Sequence, residues 1–277
     1  MSELDAVFNI NFSTIQDLLV EAQTIIQSLR TNLVPQEAAF NFNREITKQS
    51  IMDTIALQGN DLSREAMEKI FLEHKNSSPL SKSEKQISNL KNVYGYINIQ
   101  DFYGRFLVTE ELLKKLHHMM TESCSDERNV LGEYRAYSVN IGDPFHGGIY
   151  TPPEEHHDIV KLMAEFVNFI NSEETLKLAP GLRAILAHYY LCLIHPFGDG
   201  NGRLARLVEN ILLRSVGAQY ASDMICEYYY KNANDYFQAI SNAEKNRSRD
   251  LTPFVEFALK GLVVSLKNTQ EKIAKLK

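Results

Sequence analysis

Twelve consecutive positions, His195-Pro196-Phe197-Gly198-Asp199-Gly200-Asn201-Gly202-Arg203-Leu204-Ala205-Arg206, carry an imidazole, a carboxylate, an amide, three glycines and two guanidinium groups. Glycines at 198, 200 and 202 let successive backbone N–H groups turn toward one point and form an anion-binding concavity. Arg203 and Arg206 stand three apart, on one face of a helix, where both can fork onto phosphate oxygens. Cations in a first helical turn oppose the helix dipole, so an anion is expected there to compensate them. Asp199 is a hard oxygen ligand suited to a Mg²⁺ shared with substrate phosphates. His195 has the side chain that accepts a proton near neutral pH. Phosphates, a metal and a base together describe phosphoryl or nucleotidyl transfer.

The elements on either side must position this loop. Ala184, Ile185, Ala187, His188, Tyr189, Leu191, Leu193 and Ile194 read as a buried helix ending at His195. Leu204, Leu207, Val208, Ile211 and Leu212 recur at helical spacing, so a second helix begins near Gly202. The site is therefore a glycine-rich loop between two helices.

The string HPFGDGNGRLAR resembles the signature of Fic-domain proteins, HPFx(D/E)GNGRxxR, and satisfies every position of it. The resemblance implies transfer of AMP from ATP to a protein hydroxyl. It implies that His195 deprotonates a target Ser, Thr or Tyr and that Asp199 holds Mg²⁺ against the α- and β-phosphates. It implies a nucleotide site formed by Phe197, Gly198, Gly200, Asn201 and Gly202, with Arg203 and Arg206 orienting the β- and γ-phosphates. Family members that phosphorylate their targets carry lysine where this loop has Gly202, which favours AMP as the payload. Transfer of UMP, phosphocholine or phosphate stays open, as does a non-catalytic regulator that senses ATP.

The likeness extends outward. Residues 132–153 resemble the family's target-binding flap, with Gly147, Gly148, Ile149 and Tyr150 at its end. Strand-like residues from Tyr134 to Ile141 and the turn signals Gly142-Asp143-Pro144 predict a β-hairpin that clamps an incoming peptide by strand addition. Asn234-Asp235-Tyr236-Phe237 is similar to a segment near the adenine pocket, which places Tyr236 and Phe237 as stacking partners. Thr54-Ile55-Ala56-Leu57-Gln58-Gly59-Asn60 resembles the inhibitory helix (S/T)xxxE(G/N), with Thr54, Gln58 and Gly59 as regulatory positions. There the family's glutamate meets the second motif arginine, here Arg206, whereas this chain has Gln58. A carboxylate about 4 Å from a guanidinium gains roughly 4 kcal/mol at an effective dielectric near 20, before desolvation. A neutral amide offers one ordinary hydrogen bond, about 1 kcal/mol net. Weak self-inhibition is expected, with Gln58 filling the glutamate's space.

The remainder predicts an all-α fold, a Fic-type helical core with a β-hairpin flap and an N-terminal helical bundle. Ile15, Leu18, Leu19, Ala22, Ile25, Ile26 and Leu29 make one amphipathic helix. A second starts from about Phe42 and runs to the Gln58-Gly59 terminus; a third follows Ser63. The polar stretch Lys75-Asn76-Ser77-Ser78-Pro79 divides an N-terminal region, 1–78, from a core, 79–277. Further helices are expected at 82–96, 109–120, 153–170, 180–194, 234–244 and from 252 onward.

Net charge of −6 among 277 residues argues against a surface dedicated to nucleic acid. No apolar run is long enough to span a bilayer and the N-terminus lacks a basic leader, so a cytoplasmic protein is expected. Cys124, Cys192 and Cys226 are odd in number and lack metal-site spacing, which points to reduced thiols. Lys115-Leu116-His117-His118 and His156-His157 are read as solvated helix surface. The expected partners are ATP and a hydroxyl-bearing protein target; self-modification and a homo-oligomer stay open.

Overall fold

The computed structural model describes residues 9–30, 35–72, 80–100, 102–124, 127–142, 145, 148–245 and 250–276. The linker expected at 75–79 lies outside the described residues. The first helices are α1 (Phe12–Arg30), α2 (Gln36–Ala56), α3 (Arg64–Leu72), α4 (Lys82–Asn98), α5 (Glu110–Thr121) and α6 (His156–Ile170). A single turn, α7 (Glu173–Leu176), precedes α8 (Leu182–Ile194) and α9 (Asn201–Ser215), and the chain continues through α10 (Gln219–Lys231), α11 (Ala233–Lys245) and α12 (Thr252–Ala274).

The core is built around α8 and α9. Neither has a solvent face: Leu182, Ile185, Leu186, Tyr189, Tyr190 and Ile194 of α8 are buried, and so are Leu204, Leu207, Val208, Ile211 and Leu212 of α9. The two helices pack along each other, while α1 lies against α12 and α2 against α10. Helix α8 is largely apolar, and the polar side chains of α9 (Arg203, Arg206, Glu209, Asn210) are buried as well, so the loop joining the two helices is held from both ends by buried structure.

Local chemistry explains most boundaries. Ser81 and Glu84 form a reciprocal capping box at the start of α4, and the Thr109 hydroxyl accepts the Leu112 N–H at 3.2 Å to start α5. Helix α1 starts at Phe12, where Asn11 Oδ1 accepts the Ser13 N–H at 3.2 Å. Helix α2 starts directly after Pro35, six residues earlier than its apolar pattern indicates, since proline's fixed φ suits a helix start. Helix α10 was not anticipated. Its buried face includes Ser222 and Asp223, and Asp223 accepts from Thr47 at 2.7 Å, Asn210 at 2.6 Å and Arg214 at 2.8 Å. These buried polar residues break the apolar period that would have revealed it.

Among the described residues, the expected β-hairpin flap shows a single antiparallel bridge, Ile141 to Tyr150, closed by two backbone hydrogen bonds of 2.8 Å. Backbone groups that a ladder would use are taken elsewhere. The Arg135 N–H donates to the Pro196 carbonyl at 2.9 Å, and the Arg135 guanidinium donates to the carbonyls of Tyr137 and Pro153 at 2.7 and 2.6 Å. Asp143, Pro144 and Gly147 lie outside the described residues. Among the described residues, no helix is long and apolar enough to cross a membrane.

Candidate functional site

The loop between α8 and α9 is clamped shut by its own amide. Asn201 Oδ1 accepts the Phe197 N–H at 2.9 Å and Asn201 Nδ2 donates to the Phe197 carbonyl at 2.8 Å. Two glycines are there for distinct reasons. Gly200 caps α9 at φ +81°, where a side chain is strained. At Gly198 a methyl group would lie 2.0 Å from the Tyr137 hydroxyl oxygen and 3.1 Å from Asn129 Cα, so only hydrogen fits.

His195 ends α8 in the left-handed region, at φ 49° and ψ 58°. A non-glycine residue there costs on the order of 1–3 kcal/mol, and the surroundings hold it in place. The Arg135 Nε–H donates to the His195 carbonyl at 2.8 Å. The ring's Nδ1–H donates to the Cys192 carbonyl at 3.3 Å, which leaves Nε2 with its lone pair. Burial lowers the imidazole pKa to about 4; the Cys192 contact opposes the shift and Arg135 adds to it. At neutral pH the ring is therefore uncharged and able to accept a proton.

Asp199 Oδ1 accepts the Gly200 N–H at 2.5 Å and Arg203 Nη2 at 3.0 Å, with its side chain 31% exposed. The Arg203 side chain is only 2% exposed, yet its Nε and Nη1 are buried without a hydrogen-bond partner. Orphaned guanidinium donors cost far more than ordinary unmade bonds, and they lie beside the carboxylate at the start of a helix. An anion at this point would satisfy them. No cluster of three or more metal-ligating side chains occurs among the described residues. The donor set is thus a lone carboxylate, which fits a Mg²⁺ that takes its other oxygens from phosphates and water.

Arg206 is buried, with its guanidinium turned toward α2. Its Nε donates to the Thr54 hydroxyl at 2.7 Å, Nη2 to the Thr54 carbonyl at 3.2 Å and Nη1 to the Tyr236 hydroxyl at 3.2 Å. Gln58 lies in the exposed turn after α2, with Gly59 at φ +73°. A methyl group on Gly202 would lie 3.0 Å from Gln58 Nε2 and 3.4 Å from Arg206 Nη1, so the amide stands over the loop next to the arginine. The grip on Arg206 comes from Thr54.

Three expected roles are corrected by placement. Phe197 contributes no side chain to a nucleotide site: its ring is fully buried, stacked on His117 with centroids 3.8 Å apart. Both polar atoms of Asn201 are committed to the loop backbone, so it shapes the cradle from within. Tyr236 is a core residue, 1% exposed and stacked on Tyr229 at 4.9 Å, with no face open to adenine. Phe237 is half-buried with its edge on Tyr236. In the flap, Gly148 turns at φ +88°, Ile149 is 58% exposed, and the Tyr150 hydroxyl donates to the Leu193 carbonyl at 3.4 Å.

His117, expected on the solvated surface, is fully buried. Its Nδ1 accepts the Gly132 N–H at 3.0 Å, so Nε2 carries the proton donated to the Asp199 carbonyl at 3.0 Å. Burial lowers its pKa to about 4, against the pull of Asp199. His156 and His157 are exposed, as expected. Asn129 was also missed; its Oδ1 accepts the Asp199 N–H at 3.1 Å. Cys124, Cys192 and Cys226 are all buried free thiols.

An all-helical core that presents this loop between two buried helices defines a Fic fold. The sequence model of the Fic/DOC family matches residues 107–213, from just before α5 to within α9. It is 29% identical over 220 residues to "Protein adenylyltransferase Fic" of Culex quinquefasciatus, covering 77% of this chain and 40% of that protein. It is 26% identical over 282 residues to the protein of the same name from Drosophila mojavensis, covering 87% and 52%. The chain thus spans about half the length of these curated relatives, or less. Its fold matches a Fic family protein from Desulfovibrio desulfuricans G20 with a TM-score of 0.73 and 24% identity, over 93% of this chain and 74% of that one. It also matches Fic-1 (aa134–508) from C. elegans with a TM-score of 0.77 and 20% identity, over 96% and 74%.

Proposed function

We propose that this chain transfers AMP from ATP to a Ser, Thr or Tyr hydroxyl of a protein. The observation that carries the reading is an uncharged His195 whose Nε2 keeps its lone pair, across a short loop from the orphaned donors of Arg203 in the first turn of α9. His195 Nε2 takes the proton of the incoming hydroxyl. The hydroxyl oxygen bonds to the α-phosphorus as the bond from that phosphorus to the bridging oxygen breaks, and pyrophosphate leaves. Arg203 Nε and Nη1 and the N–H groups of the loop meet the charge that builds on phosphate oxygens, and they are in place beforehand. Asp199 would hold Mg²⁺, which offsets negative charge on the bound phosphates. The names of the relatives support adenylyl transfer, and Gly202 leaves room for phosphates where a lysine would stand.

Self-inhibition is weak in this reading. Thr54 offers Arg206 two neutral oxygens, while Gln58 fills the neighbouring space without bonding to it. A carboxylate at 58 would add an ionic hold. The flap serves as the target-binding edge, and Lys75 to Pro79 as the junction between the N-terminal helices and the core.

The test is label transfer with Mg²⁺, comparing α-labelled with γ-labelled ATP, for the parent and a His195→Ala variant, each alone and in a cell extract that supplies acceptor proteins. Transfer of α-label alone, lost in the variant, is expected. Transfer of γ-label would make the chain a kinase. ATP binding with no transfer of either label would make it a nucleotide sensor.

A further inference from the structure

Beneath Arg206 lies a chain of buried polar groups that the transfer reaction does not use. The Tyr236 hydroxyl, which accepts from Arg206 Nη1 at 3.2 Å, is 2.8 Å from His188 Nε2. His188 Nδ1 is 2.8 Å from Glu209 Oε2, and the Tyr229 hydroxyl donates to Glu209 Oε1 at 2.8 Å. His188 and Glu209 are both wholly inaccessible to solvent. Each comes from a central helix, His188 from α8 and Glu209 from α9, while Tyr236 comes from α11.

The placement of these bonds on the guanidinium is selective. Thr54 occupies Nε and Nη2, the forked edge that an anion takes in bidentate fashion. Tyr236 holds Nη1, which is the nitrogen nearest Gly202. Thr54 therefore competes with a phosphate, and Tyr236 does not. Buried hydrogen-bonded networks fix geometry because each member loses a partner if another turns away. A long, flexible arginine otherwise gives up rotamer entropy on meeting a ligand.

We propose that the Tyr236–His188–Glu209 chain is a positioning device for Arg206, holding its Nη1 beside Gly202 so that the forked edge meets the terminal phosphate of ATP once Thr54 lets go. This rests on the reading that Arg206 serves that phosphate. Tyr236 and His188 act through Arg206 and touch no substrate.

The experiment compares the affinities of ATP and ADP, each with Mg²⁺, by titration calorimetry on the full chain carrying His195→Ala to prevent turnover. ADP lacks the phosphate in question, so the ratio of the two affinities isolates the role of Arg206 from general destabilisation. Arg206→Ala should abolish the preference for ATP. Tyr236→Phe, which removes one oxygen, should reduce that preference about fivefold, the effect of losing one ordinary hydrogen bond, and should leave ADP affinity unchanged. His188→Gln should act in the same direction. A Tyr236→Phe variant that melts cooperatively and keeps the full preference, while Arg206→Ala loses it, overturns the proposal. An Arg206→Ala variant that keeps the preference overturns the assignment of Arg206 itself.

Discussion

Thr54 meets Arg206 as a pair of oxygens, with the hydroxyl 2.7 Å from Nε and the carbonyl 3.2 Å from Nη2. A neutral threonine thereby copies the geometry of an oxyanion on a guanidinium fork. Thr54→Ala removes one of the two oxygens. A hydrogen bond to a charged group is worth about 1.5–3 kcal/mol, so α-label transfer should rise roughly tenfold or more. A rate at or below that of the parent would show that Thr54 is no brake.

Gln58→Glu should move the rate the other way. The Gln58 amide and Arg206 Nη1 both flank Gly202, and a carboxylate at position 58 would offer the arginine an ionic partner. Desolvation removes part of the Coulomb gain, so the expected loss of transfer is about tenfold. Equal initial rates for the two proteins would remove Gln58 from the account of self-inhibition.

His195→Ala should cost about 10²–10⁴-fold in transfer, the usual range for a general base. The pH profile is the sharper check. Because burial lowers the pKa of His195 to about 4, the ring is uncharged above that value and gains a proton below it. The acid limb set by this ring in the free enzyme should therefore fall near pH 4, well below the ordinary histidine value of about 6.5. A limb near 6.5 in the dependence of kcat/KM on pH would contradict the buried, uncharged base.

His117 ties stability to pH. Its pKa is about 4 in the folded chain against 6.5 ordinarily, so the unfolded chain binds more protons between those values. Stability then falls as the pH drops through that window, by about 3 kcal/mol from this residue at the acid end. His188 works with the opposite sign: burial opposes its charged form, but Tyr236 and Glu209 outweigh that and raise its pKa. His117→Gln keeps a polar side chain and removes the titration. Urea melts at pH 7 and pH 4.5 should show a smaller loss for this variant than for the parent; an equal loss would assign the acid sensitivity to other groups.

Gly198 predicts a steric result. A methyl group would fall 2.0 Å from the Tyr137 hydroxyl oxygen, so Gly198→Ala should lower the melting temperature by several degrees or displace the flap root. Adding Tyr137→Ala should restore part of the loss. No recovery in the double variant would place the obstacle at Asn129.

The sequence revealed α8, α9 and the loop between them because apolar periodicity and a dozen chemically distinctive residues coincide there. It revealed the N-terminal contact with Arg206 but assigned it to position 58, since a resemblance identifies a segment and not the atom that makes the bond. His117 is legible in retrospect from spacing alone: it lies four residues after Leu113 and three before Met120, inside the buried stripe of α5, whereas His118 lies off it. Asn129 and Arg135 gave no comparable signal. Their partners are backbone groups about 60 to 70 residues away, and no local pattern encodes such pairing. The β-forming residues of the flap predict a hairpin, but the donors of Arg135 claim carbonyls that strand pairing would need.

The seat of α2 on α10, fixed in part by the 2.7 Å bond from Thr47 to Asp223, makes the N-terminal helices and the nucleotide parties to one equilibrium. Thr54 reaches Arg206 only while α2 is docked. If freeing the guanidinium for a phosphate loosens that docking, then by reciprocity bound ATP weakens it by the same factor. A partner that shifts α2 would then act on the loop through Thr54, and the loop, once filled, would act back on α2.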